Sequence, residues 1–164
     1  MMGYLIAALV ILLIIGPVMW LKPSPGEARR ARLRLLAREL GLQVRLCNLP
    51  QVRRARVRRE DTEQGVMYLL PLPEPGKLRP VDYCLVRAGA GESWENENAE
   101  PLPPELQAAV QHTAAALPGD AVALSLTSQG PAVYWRERGD EATVRALAAE
   151  LGTLRARMAA ALAV

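Results

Sequence analysis

One histidine and two cysteines are all that the 164 residues offer in imidazole and thiol chemistry. A lone His112 excludes the paired histidines of a zinc site, and it sits among alanines with no candidate partner for acid–base work. Cys47 and Cys84 form no CxxC pair and are too few for a disulfide framework, so both are read as small buried apolar residues. No GxSxG elbow occurs, and no Ser–Lys or Cys–His arrangement can be argued from position. Gly89-Ala90-Gly91-Glu92-Ser93 lacks the Lys-Ser/Thr ending of a phosphate loop, and Glu92, Glu95, Glu97 and Glu100 lack the spacing and glycine of a calcium loop. The expectation is therefore a protein that is not an enzyme, with no metal and no cofactor.

Charge is missing where it matters most. Residues 1–21, MMGYLIAALVILLIIGPVMWL, carry no charged side chain. About twenty apolar residues match the roughly 30 Å hydrocarbon core of a bilayer. Tyr4 and Trp20 stand near the ends, where amphipathic rings favour the headgroup level. The segment has neither the basic start nor the small-residue cleavage site of a signal peptide. It is expected to be a transmembrane anchor.

The formal charge of +3 conceals an asymmetry. From Lys22 to Arg59 there are 12 Lys/Arg and 2 Asp/Glu; from Glu60 to Val164 the balance is 8 against 15. Every flanking basic residue follows the anchor. The positive-inside rule then places the N-terminus outside and the C-terminal domain in the cytoplasm of an inner (plasma) membrane crossed once.

The domain boundaries expected are 1–21 for the anchor, 22–41 for a basic juxtamembrane amphipathic helix, and 42–164 for a cytoplasmic α+β domain. Ser24, Pro25 and Glu27 form a helix-start signal, and Gly41 a stop. Leu33, Leu36, Ala37 and Leu40 make its apolar stripe; Arg30, Arg34 and Arg38 recur every four residues on another face. Those arginines either lie among lipid headgroups or are solvated while the leucines pack on the domain.

Alternation predicts strands over 42–47 and 51–60, then a hairpin of 66–72 and 81–88 across Pro73–Lys77. Pro71 and Pro80 argue that these strand ends are not central in the sheet. Residues 89–103 read as an acidic surface loop with Trp94 as its one sticky residue. A helix over 104–117, a second hairpin from 121–127 and 132–138, and a long helix after Asp140 complete the chain. The last carries Val144, Leu147, Ala148, Leu151, Leu154, Met158 and Leu162 at helical spacing. The fold class expected is α+β: a transmembrane helix, then helix, four strands, helix, two strands and helix, with antiparallel hairpins.

Arg54, Arg56 and Arg58 alternate. On a strand they would share one face about 6.8 Å apart, suited to phosphates or carboxylates. The plainer reading is an edge strand defended by charge. Nucleic acid is disfavoured, because no stacking aromatics accompany the arginines. Arg54, Arg56, Arg58, Arg30, Arg34 and Arg38 are the candidate anion- or lipid-binding residues.

The anchor followed by Leu21-Lys22-Pro23 and a basic helix resembles the start of the small single-pass accessory subunit of the Sec preprotein translocase, over about the first forty residues. The longer pattern, Trp20-Leu21-Lys22-Pro23-Ser24-Pro25 into an Arg/Leu helix ending at Gly41-Leu42, is similar to uncharacterised single-pass proteins of proteobacterial inner membranes. The resemblance implies location. The function expected is a membrane-tethered, non-catalytic adaptor or accessory subunit of an inner-membrane assembly. Its partners would be the lipid bilayer and another membrane or cytoplasmic protein. The alternative is a membrane-anchored sensor or regulator binding a small anionic ligand, which a concave pocket near residues 54–58 would favour.

Overall fold

A computed structural model describes residues 24–88, 93–97 and 101–163. The elements are α1 (Pro25–Glu39), β1 (Gln43–Asn48), α2 (Arg53–Arg58), β2 (Gln64–Leu69), a 3-10 turn (Pro75–Lys77), β3 (Tyr83–Arg87), β4 (Trp94–Asn96), α3 (Pro104–Ala116), β5 (Ala121–Thr127), β6 (Gly130–Trp135) and α4 (Glu141–Leu162). The strands form one antiparallel sheet in the order β1-β2-β6-β5-β3-β4. Contacts divide the chain into Met1–Arg32 and Leu33–Val164, a boundary that falls inside α1.

In the first unit, Ser24 and Glu27 close a capping box at the start of α1. The Glu27 amide donates to Ser24 Oγ at 3.2 Å, and the Ser24 amide donates to Glu27 Oε2 at 2.7 Å. Two orphan amides are thereby satisfied.

In the second unit, α1 ends where Gly41 takes φ 82°, with the Leu42 amide returning to Ala37 O at 2.9 Å. A left-handed residue here is cheap only for glycine. One face of the sheet carries the main core. Leu33 and Ala37 of α1, Leu106 and Val110 of α3, and the Val144–Leu162 stripe of α4 pack on Val66, Tyr68, Leu85, Leu124, Leu126, Val133 and Trp135. Asp140 caps α4 as expected, accepting from the Thr143 amide at 2.9 Å. The opposite face holds a smaller cluster: Val52 and Ala55 cover Val86, Ala88 and Ala123.

The expected architecture is corrected in four places. The anchor over 1–21 lies outside the described residues, and no helix among these is long and apolar enough to cross a membrane. The strand expected over 51–60 is instead the helix α2. Arg and Ala are good helix formers, and burial of Val52 and Ala55, three apart, follows a helical period while Val57 stays 76% exposed. The acidic segment read as loop contains β4, paired to β3 through Leu85↔Asn96 and Arg87↔Trp94. Finally, 66–72 and 81–88 do not pair as a hairpin: β2 lies between β1 and β6, and β3 between β5 and β4. Both are inner strands. Pro71 and Pro80 fall just beyond their ends, where no ladder hydrogen bond is lost.

The most polar feature of the main core is Glu137, 2% exposed. Its carboxylate accepts from Arg34 Nε at 3.0 Å and Nη2 at 2.5 Å, and from the Tyr68 hydroxyl at 3.0 Å. Burial first, then the adjacent Glu137 charge, pushes the Tyr68 hydroxyl above the usual phenol range, so it stays a donor. Tyr68 also meets Trp135 edge-on, with ring centroids 5.3 Å apart. Removing the guanidinium would strand a buried carboxylate. Arg34→Met is therefore expected to lower unfolding free energy by about 3 kcal/mol in a urea titration. Gly130 supplies a second sensitive point. Its φ is 142° and an added Cβ would lie 2.2 Å from Leu70 O. Gly130→Ala should cost at least about 2 kcal/mol and open the β5–β6 turn; an unchanged melting temperature would contradict this geometry.

Candidate functional site

The excursion between β1 and β2 builds the most structured polar site on the outer face of the sheet. Leu49 donates its amide to Glu63 O at 2.8 Å, and Gln51 Nε2 donates to Asp61 O at 2.8 Å, closing the loop on itself. Within it α2 ends in a Schellman turn. Arg59 takes φ 55°, its amide returns to Arg56 O, and the Glu60 amide returns to Ala55 O. Val52 and Ala55 fix the helix to the sheet, which leaves its arginines outward.

Helical geometry splits the arginine row. Arg54 and Arg58, four apart, border a cleft of about 260 Å3. Arg56 borders a neighbouring hollow of about 310 Å3 with Cys84 and Glu97. Two arginines that sequence reasoning did not single out join the first cleft: Arg87 at the end of β3 and Arg136 just after β6. Each closes an apolar strand, and that position at a sheet end was their one legible signal.

Carboxylates hold these cations in place. Glu97 accepts from the Arg53 amide at 2.7 Å and pairs with Arg56. Glu95 lies 3.8 Å from Arg54, and Glu60 4.0 Å from Arg58. Glu95 of β4 and Glu97 just after it thus form an acidic clamp on α2, a role that no spacing pattern announced. Glu63 accepts from Arg136 Nε at 2.9 Å, and those hydrogen bonds hold its carboxyl below the usual range. Arg87 donates through Nη1 to Gly119 O at 2.9 Å and stacks 4.6 Å over Trp94, while its Nε is buried with no partner among the described residues. Glu60, Asp61 and Glu63 also line the cleft, against Arg54, Arg58, Arg87 and Arg136. The site is mixed in sign with an excess of guanidinium.

The other expected residues lie apart from it. Arg34 is consumed by Glu137, and Arg38 is exposed on α1. Arg30 is exposed in the first unit. His112 is exposed on α3, beside a groove shared with Thr153 and Arg157 of α4. Among the described residues no group of three His, Cys, Asp or Glu could hold a metal ion. Burial pushes the Cys84 thiol up to about 11, with Glu97 and Asp82 adding to it, and raises Cys47 as well. At neutral pH both stay thiols, poor nucleophiles and poor metal ligands.

The clamp has a measurable consequence. Glu97→Ala should free Arg56 and the Arg53 amide, costing about 1 kcal/mol after allowance for the exposed partner. Hydrogen exchange should accelerate at 53–58 and stay unchanged in β5 and β6; equal exchange in parent and variant would remove Glu97 from this role. The chain matches no protein-family model, no curated protein and no solved structure.

Proposed function

We propose that this chain is a membrane-tethered, non-catalytic sensor or regulator whose domain binds a small anionic ligand in the cleft beneath α2. The observation that carries the reading is the convergence of Arg54, Arg58, Arg87 and Arg136, from three separate elements, on one concave site of about 260 Å3. Guanidinium forks recognise phosphate and carboxylate groups in pairs. The cleft's own carboxylates suit a positioning role: Glu63 orients Arg136, and Glu60 stands beside Arg58. In this reading the uncharged segment 1–21 keeps the domain at the inner membrane. The basic residues that follow it keep the domain on the cytoplasmic side.

Calorimetry on the full chain in mild detergent, with inorganic phosphate and citrate as separate probes, tests the cleft. Replacing Arg54 and Arg58 together by glutamine should weaken binding about tenfold or more, since each charged hydrogen bond is worth about 1.5–3 kcal/mol. Binding should also fall as salt rises. Equal binding by parent and variant would overturn the reading. Retained binding to anionic vesicles with none to the soluble probes would move the arginines to a lipid role.

Orientation has its own test. Alkaline phosphatase fused after Val164 should be inactive and a fluorescent protein fused there bright; the reverse pair would place the domain on the other side.

A second reading, an adaptor or accessory subunit of an inner-membrane assembly, is favoured by one observation. Leu46 is 73% exposed on a strand at the open edge of the sheet.

A further inference from the structure

The turn at Gly41 carries α1 directly into β1, so the end of the helix and the edge strand border the same margin of the second unit. All six residues of β1 pair with β2, from Gln43↔Leu69 to Asn48↔Gln64. Among the described residues the other side of β1 has no strand against it. A free edge presents alternating amide donors and carbonyl acceptors at a fixed spacing, a template that only extended backbone can match.

The side chains along this margin leave apolar surface uncovered beside one charge, Arg45. Leu36 and Val44 are half-buried against the main core, while Leu40 and Leu46 are exposed. No lysine or proline interrupts β1, and no bulge disturbs its ladder with β2. Arg45 is the one charged residue of β1 and is exposed; at the end of α1, Arg38 and Glu39 are both exposed and offset each other.

We propose that β1 is a docking edge for an extended segment of a partner protein, in which apolar residues alternate with acidic ones. This rests on the second reading above. The partner strand hydrogen-bonds to β1. Its apolar side chains meet Leu40, Val44 and Leu46, and its carboxylates face Arg45 on the other side, as strand addition requires. A second copy of this chain fits less well. Self-pairing about Arg45 sets two guanidiniums directly opposite each other, and self-pairing about Leu46 leaves Arg45 without an acidic partner.

The test uses the full chain in mild detergent and a capped eight-residue peptide alternating valine and glutamate. Hydrogen exchange should slow at 43–48 on peptide addition. Leu46→Lys should weaken binding at least about tenfold with no change in melting temperature, because that side chain is exposed. A peptide N-methylated at every residue should not bind, having lost its backbone donors. Equal binding by the N-methylated peptide or by a valine–lysine peptide would overturn the proposal. So would β1 protection that grows with protein concentration and no peptide, which assigns the edge to a second copy. Photo-cross-linkers at Leu46 and at Val57 in native membranes separate the two levels. A protein captured at Val57 and never at Leu46 sinks the docking edge and leaves the adaptor reading standing; no protein captured at either, with no peptide bound, removes both.

Discussion

The carboxylate of Glu137 is the fixed point of the second unit. It is buried where α1, β2 and the end of β6 meet, and it joins the three through Arg34 and Tyr68. A buried charge is tolerable only when its partners are present and well placed. The arrangement therefore selects one seating of α1 on the sheet, with Leu33 and Ala37 inward. Glu137 itself takes φ 55°, a conformation that costs a non-glycine residue about 1 kcal/mol or more. That cost is borne where the carboxylate must turn inward while Arg136, one residue earlier, turns to the opposite face.

This adjacency ties the two faces of the sheet together. Arg136 reaches the cleft and is oriented by Glu63; Glu137 reaches α1. The segment is further pinned by the Arg138 amide on Asp120 Oδ2 at 2.8 Å, and then by the cap of α4. The guanidiniums of Arg87 and Arg136 are thus presented by parts of the structure with little freedom. The acidic clamp of Glu95 and Glu97 does the same for α2, a helix of six residues that would not hold its shape in isolation.

Much of the helical framework was legible because its signals are local. The capping box of α1, the Asp140 cap of α4, the glycine stop at Gly41 and the apolar stripe of α4 depend on residues within a few positions of one another. The same holds for β5 and β6, joined by a tight turn at Ser128-Gln129-Gly130. The candidate site was legible only in part. Arg54 and Arg58 stand out by their charge, but the alternation that marks them is not the helical period they adopt. Arg54 to Arg58 alternates as a strand would, yet it buries Ala55 and exposes Val57. Arg34 reads as one of a row of surface arginines, because nothing local reveals a partner 103 residues away.

The sequence by itself determined which segments are apolar, where helices start and stop, and how charge is divided along the chain; these follow from side-chain chemistry and near-neighbour geometry. Tertiary structure decided the rest. It made α2 a helix, because the outer face of the sheet offered a place for Val52 and Ala55. It paired β2 with β6 and β3 with β5, because strand partners are chosen by non-local packing. It also made a cleft from Arg54, Arg58, Arg87 and Arg136, residues up to 82 positions apart, because only a folded sheet brings the ends of distant strands together.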